Sequence, residues 1–459
     1  LLPAPGETSV PRFHFARGGA VNVVVPMMVE ANARDGVELR ASQEVIGLDA
    51  QDRGAVVRVR DLREGTEQEL YAPAVVIATG GFESDLERVR ANWPAGIRQP
   101  ERLLAGASRF ARGSGLELGE AAGAAIERLD HQTIFVTGFP DPRDPDGERG
   151  LLAMNAASLF INAQGERFVN EGASRKVLEQ VVLESAVQTY WMLFDEQGRK
   201  QLQVRGAPWL TRETLATEIL GNPELVRQAE SLDVLAESIG VPAASLNGTV
   251  QRFNALVAAG IDEDFGRFGP DSPRRVPKAI GEPPFYALKR YPMTRKSMGG
   301  LVIDGRAQLL DTSGSALPGL FAAGEVTGVA GINGSWGGSG TFLGPSILTG
   351  RIAGRSAAEA ALTAAQTRQG PSGPAGERPA DLALEKAADP DAWRYLEADD
   401  LVWMLETTRP GYWHFEVAHE LVLEQARDCA QCHGPSWPTR TAQTRKEKRA
   451  QLESCTRCH

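Results

Sequence analysis

Long apolar runs and long basic runs are both missing from this chain of 459 residues. No stretch approaches the ~18 uninterrupted apolar residues of a membrane-spanning helix, so the sequence predicts no membrane span. The net charge of −10 argues against nucleic acid as the main partner. At ~100–200 residues per domain, the length predicts two to four domains with hydrophobic cores.

A recognisable beginning is missing as well. The chain starts at Leu1 in Pro-rich sequence, without Met and without the charged, apolar and small regions of a signal peptide. It stops at His459, the last residue of a motif. Both ends look cut, and we expect the sequence to be a fragment of a longer protein.

Cysteine is scarce, and its placement is the most specific feature of the sequence. The four cysteines form two CxxC pairs, each followed directly by histidine: Cys429, Cys432 and His433, then Cys455, Cys458 and His459. Two thiols a short turn apart can bond to the two vinyl groups of one haem, and the adjacent histidine then binds its iron. The pattern predicts two covalently attached haem c groups with these histidines as axial ligands. A zinc site or disulfide pairing is the alternative.

Histidine is also scarce, and four of the six lie in the last 46 residues. His414 and His419 are therefore candidates for the distal haem ligands. They are five residues apart, so on one helix they would point in different directions and could bind separate irons. Met404 is a competing ligand, and a solvent-facing position on an amphipathic helix is the alternative for both histidines.

The patterns along the chain predict an α/β protein with a separate C-terminal segment. Residues 21–34 read as a helix, and β-like runs follow until the buried strand VVIATGG (75–81), whose paired glycines allow a close ligand approach. Helical stretches occupy 175–260, strand patterns return over 299–327, and a Gly-rich loop leads into a helix from about Pro345 to Leu362. Residues 363–380 have the composition of an interdomain linker.

Six short segments carry a family pattern through their order and spacing. They are VVIATGGF (75–82), GERFVNEGASR (165–175), Phe194-Asp195 with Arg199, SMGGLVID (297–304), GLFAAGEVTG (319–328) and GRIAGRSAA (350–358). Together they resemble the fumarate reductase/succinate dehydrogenase flavoprotein family, especially its soluble flavocytochrome c branch, from about Phe13 to Ala361. The resemblance implies a Rossmann-like α/β FAD-binding domain, here incomplete, that is interrupted by an α+β capping domain. A small, mostly α-helical c-type haem segment follows it.

With the linker and the haem motifs, this resemblance predicts five regions. They are a FAD-binding domain without its N-terminal part (1–131), a capping and substrate domain (132–293), the second part of the FAD-binding domain (294–362), a linker (363–385) and a di-haem segment (386–459).

The FAD domain of this family opens with a strand–GxGxxG–helix unit that holds the diphosphate at a helix N-terminus, and this chain has no GxGxxG. A fragment that begins downstream of the unit explains this most simply, and a flavin-free relative is the alternative. The resemblance places Ala78, Thr79 and Gly80 against the adenosine diphosphate, and Glu325 on ribityl or ribose hydroxyls. It places Ser346, Ile347 and Leu348, at a helix N-terminus, beside the pyrimidine edge of the isoalloxazine.

Forming or reducing a C–C double bond beside a carbonyl requires hydride exchange at flavin N5 and a proton on the opposite carbon. The resemblance implies Arg199 as the acid/base and Glu171 and Arg175 as its proton relay. It also implies His131 as a ligand of a substrate carboxylate. The alternatives are a surface ion pair between Glu171 and Arg175, a helix-surface charge at Arg199 and a structural histidine.

The sequence departs from the family pattern where the substrate binds. Relatives that act on fumarate have a histidine directly before TMGG and an arginine in an N-R-L-G-G loop, whereas this chain has Lys296 and GINGSWGGSG (331–340). The segment GSGTFLGPSILTG (338–350) instead resembles the 3-ketosteroid dehydrogenase branch, in which Gly340 and Trp336 match groups around a ketone oxygen. We therefore expect an unsaturated mono-acid or a ketone rather than fumarate as the small-molecule substrate.

These features predict an exported, periplasmic FAD-dependent oxidoreductase of the CH–CH class. Electrons would pass between flavin and the two haems, and then to or from a redox protein or a quinol-linked partner. Export is expected because haem c is attached outside the cytoplasm in bacteria. A ketosteroid dehydrogenase-like enzyme, and a haem electron carrier with an inactive flavin half, are the alternatives.

Overall fold

The computed structural model describes residues 21–52, 54–185, 188–270, 272, 275–328 and 343–368. The described residues from Ser42 onwards belong to one compact unit, and those up to Ala41 belong to another. The Gly-rich loop, the linker and the haem motifs lie outside the described residues. No helix in the described part of the chain is long and apolar enough to cross a membrane.

In the unit that includes residues 21–41, the described element is helix α1 (Val21–Asn32). This confirms the helix predicted at 21–34. Gly36 has a φ of +82°, a left-handed conformation that glycine adopts without steric cost.

Two small sheets begin the second unit. Strands β1 (Gln43–Ala50), β2 (Ala55–Asp61) and β3 (Glu67–Ala72) form an antiparallel meander. Strand β4 (Val75–Ile77) instead pairs in parallel with the late strand β16 (Ala316–Ala322), which also pairs with β15 (Gln308–Leu310). This parallel pair joins segments more than two hundred residues apart in the chain.

The largest sheet has eight strands around β13 (Phe285–Ser297), a strand of 13 residues. Its members in chain order are β5 (Leu104–Ala105), β7 (Gln132–Pro140), β8 (Gly150–Met154), β9 (Leu159–Ile161), β10 (Tyr190–Phe194), β11 (Gln203–Arg205), β12 (Val226–Ala229) and β13. Strand β13 pairs with β7 and β5 towards its end and with β10 and β12 towards its beginning. Strands β6 (Ile126–Glu127) and β14 (Gly300–Leu301) pair separately.

Eight further α-helices follow α1 in the described part of the chain. They are α2 (Leu86–Ala91), α3 (Ser114–Ala121), α4 (Arg175–Glu184), α5 (Glu196–Arg199), α6 (Arg212–Thr214), α7 (Leu232–Ile239), α8 (Ala243–Ala259) and α9 (Leu343–Arg368), with a π-helical turn at Leu215–Leu220. Helices α7 and α8 bury Leu235, Leu246 and Phe253 against the large sheet. Helix α9 confirms the helix predicted from Pro345 and extends it.

The mixed α/β architecture expected from the sequence is confirmed. The predicted domain limits stay predictions. Strand β13 runs without a break across residues 293 and 294, where one of these limits was expected. A strand that continues through a boundary ties the two sides together by main-chain hydrogen bonds.

Hydrogen bonds of the Asp195 side chain link the end of β10 to the segment before β13. Asp195 is 3% exposed, and its side chain accepts hydrogen bonds from the backbone N–H groups of Gly198 (2.8 Å), Gly281 (2.9 Å) and Glu282 (3.0 Å). We expect Asp195→Ala to lower the free energy of unfolding by about 2–4 kcal/mol, because it removes the cap of α5 and leaves the buried Gly198 N–H and two partly buried N–H groups without their acceptor. Urea denaturation measures this, with exposed Asp52→Ala as the control; equal losses in both variants would contradict it.

Candidate functional site

The carboxyl ends of β4 and β16 meet at one edge of the small parallel sheet. In the register, Ala322 is paired with Ile77, and the Ala323 N–H donates to the Ile77 carbonyl at 2.9 Å. The residues that follow, Ala78–Gly80 and Gly324–Glu325, therefore lie side by side. Ligands of open α/β sheets bind outside the carboxyl ends of the strands, so this edge is the expected position of a cofactor.

The first turns of α9 reach the same edge. The Gly324 N–H donates to Thr349 Oγ1 at 3.0 Å, and a Cβ on Gly324 would lie 3.7 Å from Ser346 Oγ. Gly324 itself has a φ of +75°, which favours glycine. Ile347 and Leu348 are 39% and 52% exposed, so the helix also presents apolar side chains close to its N-terminus. All seven residues predicted to contact FAD thus belong to the two strand ends and this one helix start.

The end of β13 brings the SMGG segment to Glu325. The Ser297 N–H donates to Glu325 Oε1 at 3.1 Å, and Lys296 Nζ lies 3.5 Å from Glu325 Oε2. The Met298 N–H donates to the carbonyl of His131 at 2.8 Å, so His131 is adjacent to this segment. The His131 Nδ1 lies 2.8 Å from Asp130 Oδ1, and the ring is about one-third exposed.

Glu83 is a member of the site that the sequence analysis missed. It follows Gly80-Gly81-Phe82, is 1% exposed, and has no hydrogen-bond partner for either carboxyl oxygen among the described residues. A Cβ on Gly81 would lie 2.5 Å from its Oε2, so glycine at that position leaves room for the carboxyl group. An acidic residue directly after a buried strand end was the available signal.

The charges around Glu83 leave one carboxyl group without a counter-ion. Burial, and after it the negative charge of Glu325, raise the pKa of Glu83 to about 8, although the positive charge of Lys296 opposes part of this rise. Since Lys296 is paired with Glu325, Glu83 is mostly protonated at neutral pH. The site therefore contains a buried, neutral carboxylic acid, Glu83, beside the ion pair of Lys296 and Glu325.

Glu171 lies in a buried ion-pair network rather than in a surface pair. Arg167 donates to both of its carboxylate oxygens (2.9 and 2.8 Å), and Arg267 Nη1 donates to Oε2 at 3.0 Å. Asp262 binds the other side of Arg167 at 2.7 Å, and the Glu171 side chain is 2% exposed. Arg267 was missed because Glu171 is 96 residues away in sequence, whereas Arg167 lies only four residues before Glu171. The burial of Glu171 excludes the alternative of a surface ion pair with Arg175. Its hydrogen bonds to Arg167 and Arg267 instead stabilise the segment before α4.

Arg199 pairs with a different carboxylate. Its guanidinium binds Glu196 through two hydrogen bonds of 2.7 and 2.6 Å, and Glu196 also accepts from Tyr286 near the beginning of β13. Lys296 is ten residues further along the same strand, which is ~33 Å of strand at ~3.3 Å per residue. The structure therefore does not bring Arg199 to Glu325 and His131.

The remaining predicted site residues lie outside the described part of the chain, in whole or in their side chain. The side chain of Arg175 lies outside the described residues, although its backbone begins α4. Cys429, Cys432, Cys455, Cys458, the histidines at 414, 419, 433 and 459, and Trp336 and Gly340 also lie outside them. Within the described ranges, no group of three or more His, Cys, Asp or Glu side chains could hold a metal ion.

The sequence matches the FAD binding domain family over residues 6–343. The chain belongs to this family. It is 34% identical over 339 residues to the NADH:acrylate oxidoreductase of Vibrio harveyi, covering 72% of this chain and 31% of that protein. It is 30% identical over 367 residues to the fumarate reductase (cytochrome) of Shewanella frigidimarina, covering 77% and 58%. The chain thus spans less than two thirds of either relative.

Solved structures confirm a FAD-binding fold of the fumarate reductase flavoprotein type. The open conformation of a flavocytochrome c3 fumarate reductase matches with a TM-score of 0.55 and 26% identity, over 74% of this chain and 56% of that one. The 3-ketosteroid Δ1-dehydrogenase of Sterolibacterium denitrificans matches in fold alone, with a TM-score of 0.55 and 21% identity over 70% and 59%.

The described residues fit a flavin dinucleotide at this edge. The left-handed Gly80 (φ +80°) and Gly324 carry no side chain, so a planar or phosphate-bearing ligand can approach the backbone at one position of each strand end. The N-terminus of α9 favours negative charge, and Glu325 supplies a hydrogen-bond acceptor for hydroxyl groups. The GxGxxG unit that would hold the diphosphate is not in the sequence.

The raised pKa of Glu83 predicts a pH-dependent stability. Between the ordinary value of ~4.3 and about 8, the folded state holds a proton that the unfolded state has lost, so stability falls as pH rises through this window. We expect Glu83→Gln to remove this fall and to be more stable than the unsubstituted protein by about 2–4 kcal/mol above pH 8. Urea denaturation from pH 5 to 9 measures it. Exposed Glu87→Gln is the control, and parallel curves for Glu83→Gln and the unsubstituted protein would contradict the prediction.

Proposed function

We propose that this chain is the flavin-binding and substrate-binding part of an oxidoreductase that reduces or oxidises an activated C–C bond. One observation carries the proposal: the strand ends 78–80 and 324–325, the start of α9, and the β13 segment beside His131 converge at one edge. Relatives named as acrylate and fumarate reductases share this part of the chain. Their similarity supports the reaction class.

Ala78, Thr79, Gly80, Glu325, Ser346, Ile347 and Leu348 would hold the FAD. When bound, FAD supplies hydride exchange at N5. The positive end of α9 favours negative charge at its N-terminus. Lys296 Nζ, 3.5 Å from Glu325 Oε2, orients the Glu325 carboxylate, whose remaining lone pairs can accept hydrogen bonds from hydroxyl groups.

The proton donor is better assigned to Arg175 than to Arg199. Arg199 is bound to Glu196 at the opposite end of β13, whereas the backbone of Arg175 begins α4, which packs against β7. Strand β7 starts at Gln132, directly after His131. Glu171 then acts as a positioning residue, because its bonds to Arg167 and Arg267 fix the loop that leads into α4.

Two haem c groups at the C-terminal motifs would complete the electron path. The CxxCH spacing supports them, as does the cytochrome in the name of the Shewanella frigidimarina relative. Electrons would be exchanged with a redox protein or a quinol-linked partner, and covalent haem implies export to the periplasm.

A ketosteroid dehydrogenase-like activity is the second candidate. The loop at 331–340 carries no arginine to clamp a second carboxylate, and the 338–350 segment resembles that branch. Turnover of cyclic ketones without turnover of unsaturated acids would favour it.

The cofactor set is testable on the purified, exported protein that carries this chain. We expect non-covalent FAD and two haems that stay attached after denaturation, because thioether bonds survive unfolding. Adding an unsaturated acid to the dithionite-reduced protein should reoxidise flavin and haem in the absorbance spectrum. Zinc in place of iron, or a protein without flavin, would contradict the proposal.

Paired substitutions test the proton donor. We expect Arg175→Gln to lower kcat by about 10²–10⁴-fold with flavin retained, the range typical of a lost acid catalyst. Arg199→Gln should stay within about threefold, because it breaks only a partly exposed ion pair. Steady-state kinetics and the flavin-to-protein absorbance ratio measure both. A large loss in the Arg199 variant alone would reverse the assignment.

A further inference from the structure

Arg295 occupies a β-bulge at the edge of the candidate site. In the pairing of β13 with β7, Thr294 is opposite Ile134 and Lys296 is opposite Thr133, so Arg295 is the extra residue. Bulges bend a strand and re-aim a side chain, and they are common next to active sites. This bulge lies two residues before Ser297, which binds Glu325.

The bulge brings two neighbouring cations to the same carboxylates. Consecutive residues of a regular strand point to opposite faces. Lys296 nevertheless pairs with Glu325, and the pKa of Arg295, which burial lowers, is raised in part by the charges of Glu325 and Glu83. Both cations therefore lie close enough to interact electrostatically with Glu325, one of the candidate flavin residues.

Of these two cations, only Lys296 has an ion-pair partner. Lys296 is committed to Glu325, so it is a poor substitute for the missing substrate-binding histidine. Arg295 has no carboxylate within ion-pair distance in the described part of the chain; its Nη1 donates to the Gly106 carbonyl, and its guanidinium lies 5.8 Å from the Phe135 ring. A guanidinium carries five donors, so most remain available.

The surroundings of Arg295 combine contact with protein and exposure to solvent. The residue is exposed to solvent, yet enough protein surrounds its guanidinium for burial to lower its pKa. The Gly106 carbonyl and the Phe135 ring lie against the guanidinium, and the rest of the side chain is open to solvent. In such a place a carboxylate can form two parallel, charge-assisted hydrogen bonds to arginine with reduced competition from water.

We propose that Arg295 binds the carboxylate of the substrate and makes the enzyme selective for unsaturated monocarboxylates. This inference rests on the proposed function. The bulge provides one unpaired guanidinium, and the loop at 331–340 contains no second arginine for another carboxylate. A substrate with one carboxylate matches this charge, and a neutral ketone would leave it unpaired.

Binding and turnover test the proposal on the flavin-loaded protein that carries this chain. Propanoate, which cannot be reduced, is titrated by calorimetry against the unsubstituted protein, Arg295→Gln and Arg295→Lys, with propanamide as the neutral ligand. We expect the propanoate Kd to rise at least about 30-fold in Arg295→Gln and about 5–10-fold in Arg295→Lys, since lysine keeps the charge but loses the bidentate geometry. Propanamide binding should not change.

Turnover of but-2-enoate separates affinity from chemistry. KM should rise in parallel with the propanoate Kd, while kcat changes less and the flavin content stays constant. Exposed Arg205→Gln, on β11, is the matched control and should leave both ligands unaffected. An unchanged propanoate Kd in Arg295→Gln, with but-2-enoate still reduced, would overturn this inference alone. An unsubstituted protein that neither binds propanoate nor reduces any unsaturated acid would overturn the proposed function as well.

Discussion

The parallel pairing of β4 with β16 is the constraint on which the site depends. The two strands come from opposite ends of the described chain, and their register places Ile77 beside Ala322. Without it, the ATG segment and Glu325 would share no edge, and α9 would have no strand end to begin against. A parallel pair needs a long crossover, and here the crossover contains the whole eight-stranded sheet.

The sequence predicted the parts of the site that depend on local signals. Paired glycines after a short strand and the periodic pattern of a long helix are visible within a few residues, and the structure contains both the strand and the helix. Glu83 and Arg295 were not predictable in this way. One depends on burial by distant segments, and the other depends on a bulge that only the pairing of two strands creates.

The same distinction explains the different outcomes for Glu171 and Arg199. Both were assigned from family motifs, which give the order of residues but not their neighbours. The neighbours of Glu171 come from two loops far apart in sequence and lock it in place. Arg199 has a partner three residues away, which satisfies its charge locally and leaves it outside the cluster.

Strand β13 pairs with different strands in its two halves. Its beginning pairs with β10 and β12, and its end pairs with β7 and β5 and reaches Glu325. Displacing one half of such a strand strains the hydrogen bonds of the other half. The segment that reaches Glu325 and the strands that pair with the beginning of β13 therefore form one cooperative unit, and a chain cut within β13 would lose both together.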